Sequence, residues 1–238
     1  MSGPNASLAG DGADRRPLTS RNTRWAGALA RRLARGPLTP NGISMLSVVF
    51  ATLAGAAFWA SGRTEGGAQA ALLVAAALGC QLRLLCNLLD GMVAVEGGRG
   101  TPDGPFWNEA PDRVADVVIL VGAGLGAHEP ALGWAVATLA VGTAYMRELG
   151  RANGTGSDFG GPMAKPHRMA LMTGGALVAA VVSLLPVGAP VGALGILEIA
   201  LWIVAAGALL TVVLRSRRLI AALNERQQGR RVDAADRA

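Results

Sequence analysis

Apolar positions in this chain neither alternate with polar ones, as in a half-buried strand, nor keep to one stripe of a surface helix. They run in blocks, near 42–61, 67–86, 114–127, 130–146, 169–186 and 191–214. Most of these blocks approach the roughly 20 residues that carry an α-helix across a bilayer core, where a helix satisfies its own backbone groups. The pattern predicts an all-α membrane protein with six transmembrane helices. The third block is short. It reaches full length only if its helix extends back through "NEAPDRVAD", which brings Asp112 and Asp116 to the mouth of the membrane.

Outside the blocks the pattern changes. Residues 1–20 are rich in Gly, Ser, Asp and Arg, without the apolar core of a secretory signal, and read as a flexible polar N-terminus. In 21–36, "RNTRWAGALARRLARG", Trp25, Leu29 and Leu33 share a stripe and the arginines mostly face the other way, which predicts a juxtamembrane amphipathic helix. Asn41, after the rigid Pro40, is the expected N-cap of the first span. Residues 215–238 read as a basic, polar, mobile tail.

Charge gives the expected orientation. Arg15, Arg16, Arg21, Arg24, Arg31, Arg32 and Arg35 precede the first span, and Arg215, Arg217, Arg218, Arg226, Arg230, Arg231 and Arg237 follow the last. The loops after spans two and four carry Arg99, Arg113, Arg147, Arg151, Lys165 and Arg168, whereas the other loops carry only Arg63. The positive-inside rule then places both termini and the two basic loops in the cytoplasm, with the chain integral to the plasma or inner membrane. Only 16% of the residues are charged, against about 25% in a soluble domain. The net charge of +6 flanks membrane spans and comes with one Tyr and four Phe, so anionic lipid, not nucleic acid, is the expected partner of the basic clusters. Cys80 and Cys86 fall in or near the second span and read as packing residues, not a disulfide.

Against this background one stretch stands out: "NLLDGMVAVEGGRGTPDGPFWNEAPDRVAD", residues 87–116. Arg83, Asn87 and Asp90 lie at i, i+4 and i+7 on one helical face, and Asn108, Asp112 and Asp116 recur every fourth residue on another. Pro111 is compatible with that second face if the helix starts close to Asn108. Ionisable side chains at membrane depth are costly and mark function by default; the bland alternative is helix-to-helix pairing with Arg83 and Arg113. A hard divalent cation held by oxygen ligands would relieve the repulsion between carboxylates, and Mg²⁺ typically combines one or two carboxylates with substrate phosphates. Gly91 beside Asp90 lets a bulky ligand approach the backbone.

This stretch resembles the signature of the CDP-alcohol phosphatidyltransferases, D-x-x-D-G-x-x-A-R, eight residues, then G-x-x-x-D-x-x-x-D. Asp90, Gly91, Ala94, Gly104 and Asp112 match it; Asn87 and Asn108 stand where Asp is usual, and Val95 where Arg is usual. The resemblance extends over residues 38–214 and implies a six-helix membrane domain, often a homodimer, with its site in a cytoplasm-facing cavity. It implies Mg²⁺ or Mn²⁺ as cofactor, and transfer of the phosphatidyl group of CDP-diacylglycerol or a related CDP-lipid to an alcohol or polyol, with release of CMP. By position, Asp112 and Asp90 would be catalytic, with Asp112 activating the acceptor hydroxyl. Asp90, Asp112, Asn87, Asn108 and Asp116 would form the metal set, and Gly91, Ala94, Gly104 and Asn87 would meet the nucleotide. Two Asn for Asp remove two negative charges but keep carbonyl oxygens, which suits one divalent ion better than two. They also motivate an alternative: a relative that binds CDP-lipid or nucleotide without turnover.

Lys165, the one lysine among 22 basic residues, adds a second candidate. A compact ammonium suits a phosphate as a point charge. With Arg147, Arg151, Arg168 and Arg113 it is the expected binder of substrate phosphate. His167 reads as a loop residue, and Glu198 has no assigned role.

Overall fold

The computed structural model describes residues 24–96, 98, 100–185 and 191–235, so the predicted flexible segment 1–20 lies outside the described residues. Among the described residues every regular element is an α-helix: α1 (Arg24–Ala34), α2 (Pro40–Ser61), α3 (Gly66–Glu96), α4 (Gly104–Gly126), α5 (Pro130–Ala152), α6 (Lys165–Val182) and α7 (Ala193–Ala235). Three of these are long and apolar enough to cross a membrane: Pro40–Ser61, Gly66–Val95 and Ala193–Gln228. The other three predicted blocks lie in α4, α5 and α6.

Helix ends differ from the sequence reading in three places. Thr39, not Asn41, caps α2: its Oγ1 accepts from the backbone N–H of Gly42 at 3.0 Å. Pro40 occupies the first helical position, where its missing N–H costs nothing, and so moves the start ahead of Asn41. Helix α4 starts at Gly104, with Pro105 in its first turn and Pro111 inside the helix. It therefore begins a full turn before the expected start near Asn108, and it does run back through "NEAPDRVAD" as the short third block required. Helix α7 does not stop at 214 but continues to Ala235, so the basic segment that follows the last block is the end of a 43-residue helix.

The six long helices close into a ring in which α2 packs on α3, α3 on α6, α6 on α7, α7 on α5, α5 on α4 and α4 back on α2. The amphipathic α1 lies outside the ring against α3, burying Ala26 and Ala30 with Ile43, Leu89, Met92 and Val93. Lipid is as apolar as any core side chain, so such a ring depends on close packing of small residues. The α2–α4 crossing illustrates this. A Cβ on Gly55 would come within 2.5 Å of the Val118 carbonyl oxygen, and one on Gly122 would overlap the Gly55 backbone. The two helices meet backbone to backbone. Because α2 sits between α3 and α4, those two touch each other only slightly, and the polar ends of both helices open onto the same region.

Candidate active site

Asp116 is the innermost of the acidic residues and is 1% exposed. Arg83 Nη2 donates to its Oδ1 at 2.8 Å and Arg168 Nη2 to its Oδ2 at 2.6 Å. Arg168 also donates to Thr143 Oγ1 at 3.2 Å and to the Met163 carbonyl at 2.9 Å. A buried charge persists when it is paired and hydrogen-bonded, and this carboxylate has a guanidinium on each oxygen. It ties α3, α4 and α6 together, with α5 joined through Thr143.

One turn nearer the helix start, Asp112 is 6% exposed. Asn87 Nδ2 donates to its Oδ1 and Lys165 Nζ to its Oδ2. Arg83 reaches the same Oδ1 at 3.3 Å, and Arg113 Nη2 lies 3.6 Å from Oδ2. Asp90, at the end of α3, accepts from Ser44 Oγ at 2.6 Å and from the Gly91 backbone N–H at 2.6 Å. Asn87, the residue that bonds Asp112, lies one turn before Asp90 on α3, which places the two carboxylates at one site. Asn87, Asp90, Asp112 and Lys165 are thus brought together from α3, α4 and the start of α6. Asn108 is exposed, one turn outward of Asp112 on the same face, and Ala94 is half-buried near the end of α3. Gly104 opens α4, its N–H donating to the Thr101 carbonyl at 2.9 Å.

The expected phosphate binders divide. Lys165 and Arg113 face Asp112 and keep about a fifth to a quarter of their side chains exposed, 24% and 22%. Arg147 pairs with Glu109, donates to Glu148 at 2.9 Å, and stacks its guanidinium 5.5 Å from the Phe159 ring centre. Arg151 lies 3.8 Å from Glu148 on the exposed rim. Arg168, by contrast, is 1% exposed and engaged by Asp116. His167 is exposed in the first turn of α6, not in a loop, and Glu198 accepts from Trp202 Nε1 at 3.4 Å on the outer surface.

Two residues of the site escaped the motif. Ser44 holds Asp90 from 46 positions away, a distance at which sequence offers no signal beyond a polar residue in an apolar block. Arg83 was visible on the α3 face, and its double pairing with Asp112 and Asp116 makes it the floor of the site.

The donor set fits a hard divalent ion. Asp90 keeps lone pairs beyond its two donors, and Asn87 turns its amide nitrogen to Asp112, leaving its oxygen free. Among the described residues no three His, Cys, Asp or Glu side chains converge as a metal group. An ion held here would take two carboxylates and an amide oxygen and complete its shell with phosphate and water, which is how Mg²⁺ is commonly bound.

No family model matches the chain. A phosphatidylinositol phosphate synthase of Mycobacteroides abscessus is 27% identical over 213 residues, covering 83% of this chain and 86% of the relative. The crystal structure of Mycobacterium tuberculosis phosphatidylinositol phosphate synthase (PgsA1) with CDP-DAG bound superposes with a TM-score of 0.66 at 23% identity, covering 83% of this chain and 94% of that one. Both synthases are CDP-alcohol phosphatidyltransferases, and this chain is similar to them in sequence and in fold. The same synthase in complex with manganese and citrate gives a TM-score of 0.65 at 23% identity, covering 82% and 88%. The stretch that resembles the family signature lies at the end of α3 and the start of α4 in a fold shared with these structures.

Proposed function

We propose that this protein is a metal-dependent phosphotransferase of phospholipid synthesis. It transfers the phosphatidyl group of CDP-diacylglycerol or a related CDP-lipid to an alcohol acceptor and releases CMP. The observation that carries this reading is the convergence on Asp112 of Asn87 from the apolar helix α3, Lys165 from the start of α6 and Arg113 from α4, with Asp90 one turn along α3 from Asn87. The relative's name makes a phosphorylated polyol such as inositol phosphate the first acceptor to test.

Mg²⁺ or Mn²⁺, held by Asp90, Asp112 and Asn87, would offset charge on the diphosphate. Lys165 and Arg113 attract the phosphates of the incoming substrates, and Arg147 and Arg151 line the approach. The acceptor hydroxyl oxygen attacks the lipid-bearing phosphorus and the bond from that phosphorus to the bridging oxygen breaks. The bridging oxygen departs with CMP, and the hydroxyl proton passes to Asp112. For this Asp112 must exchange its pairing with Lys165 for the acceptor, and the lysine is then free to meet phosphate.

Six crossing helices, α2 to α7, would put both termini and the site on the cytoplasmic side, as the distribution of basic residues favours. The protein would act in the plasma or inner membrane as a homodimer. A second reading, a binder without turnover, is favoured by the donors already gathered on Asp112.

The deciding experiment measures CMP release by purified protein in lipid-containing micelles with CDP-diacylglycerol, Mn²⁺ and a pool of polyols and polyol phosphates. Release that stops with EDTA and in Asp112→Asn supports the transferase. Saturable CDP-lipid binding without release sinks it and leaves the binder.

A further inference from the structure

The segment between α5 and α6, residues 153–164, is neither helix nor strand, yet it delivers Lys165 to Asp112. Pro166 marks the first turn of α6, but Ala164 at the N-cap position supplies no side-chain hydrogen bond. Beside Arg168, which holds the Met163 carbonyl, and Arg147, which stacks on Phe159, the contacts that hold the segment come from one stripe of α7. Thr211 Oγ1 accepts from the Met163 backbone N–H at 3.0 Å. Arg215 Nε donates to the Gly160 carbonyl at 2.9 Å. Arg218 Nη1 lies 3.0 and 3.2 Å from the two Asp158 carboxylate oxygens. Arg226 Nη1 donates to the Asn153 carbonyl at 2.8 Å, and its Nη2 to that of Gly154. Positions 211, 215, 218 and 226 fall within one face of a helix turning 100° per residue.

The fit is close as well as polar. Gly161 has φ +121°, and a Cβ there would come within 2.5 Å of Thr211 Cγ2, so the loop passes α7 where only glycine fits. Asp158 accepts from the Gly160 backbone N–H at 2.7 Å, which couples the Arg218 pair to the loop backbone. Arg218 and Arg226 lie beyond the last apolar block and are exposed.

We propose that this overhang of α7 is a strap: Arg218 and Arg226 are positioning residues that hold loop 153–164, and through it Lys165, in register with Asp112. Only the kinetic half of the proposal rests on the transferase reading. The Arg218–Asp158 pair is exposed at 52% and 33% of the side chains, so it holds weakly and is screened by salt. The two backbone-directed contacts of Arg226 make the strap at two points.

Hydrogen exchange by mass spectrometry on the full chain in nanodiscs tests it, comparing wild type, Arg218→Ala/Arg226→Ala, and the exchanged pair Asp158→Arg/Arg218→Asp. In the double variant, amides of 153–164 should exchange about fivefold faster or more, with α2 to α5 unchanged and the melting temperature preserved. The exchanged pair should return most of the protection. With inositol phosphate as acceptor, its KM should rise about two- to fivefold while kcat stays within about twofold, the range expected for a weak exposed contact, and the exchanged pair should restore it. Unchanged exchange in the loop overturns the strap, and so does faster exchange with an unmoved KM. If wild type releases no CMP, the transferase reading has failed, and loop exchange alone decides whether the strap exists.

Discussion

Asp112 and Asp116 stand one turn apart on α4, and their surroundings give them different work. Asp116 answers two buried guanidinium groups at 2.8 and 2.6 Å. Asp116→Asn would leave Arg83 and Arg168 without a full counter-charge in an apolar ring, which costs about 3–5 kcal/mol when one partner of a buried pair is lost. The expected outcome is a sharp fall in melting temperature and in folded yield from detergent, before activity is considered. Asp112→Asn should behave otherwise. Arg83 keeps Asp116, and Lys165, with 24% of its side chain exposed, can turn to water. Its melting temperature should stay within a few degrees while CMP release falls about 100-fold or more, the scale of a lost general base. A D112N protein that melts as early as D116N would mean that Asp112 is structural too. These two roles were not separable on the sequence, where both residues belong to the same four-residue repeat. What separates them is the partner each one meets, from α3 and α6, and those partners lie 25 to 53 positions away.

At the scale of elements, long apolar blocks and an uncommon motif spacing are local properties, so α2, α3 and the paired ends of α3 and α4 could be read directly. The rest was settled by tertiary contact. Hydropathy marks where a block ends but says nothing of whether the helix continues, because the overhang of α7 is held by a loop with which it shares no pattern. Pro111 misled for a related reason: Pro105 had already started the helix, and a buried proline inside it is tolerated where neighbouring helices supply the packing. Nor does a glycine in an apolar block announce which backbone it meets. Gly122 meets that of Gly55, and Gly122→Leu should force α2 and α4 apart. The expected loss is at least the ~1–3 kcal/mol typical of overpacking, read as a lowered melting temperature. Gly174→Leu, where an added Cβ meets nothing within 4 Å, is the control and should be near neutral. Equal effects at the two sites would mean that the α2–α4 crossing is looser than described.

Taken whole, the ring places the site where two helix ends meet beside α2, so the direction of the bundle in the membrane decides which compartment supplies the substrates. If α2 to α7 all cross, the helix ends alternate. Loop 153–164 then shares a side with the α3–α4 connection and both termini, and residues 62–65 lie opposite. Single cysteines can read this directly, because Cys80 and Cys86 are both buried and give little background to a membrane-impermeant thiol reagent. Ala152→Cys and Glu65→Cys are both at exposed positions. In intact cells Glu65→Cys should label and Ala152→Cys should not; after the membrane is opened both should label. The charge distribution favours this sense, since the positive-inside rule puts the side bearing Arg147, Arg151 and Lys165 toward the cytoplasm. Labelling of Ala152→Cys in intact cells would reverse the orientation. Labelling of both in intact cells would mean that α3, α4 and α5 together do not carry the chain across an odd number of times, and the six-span count would fall with it.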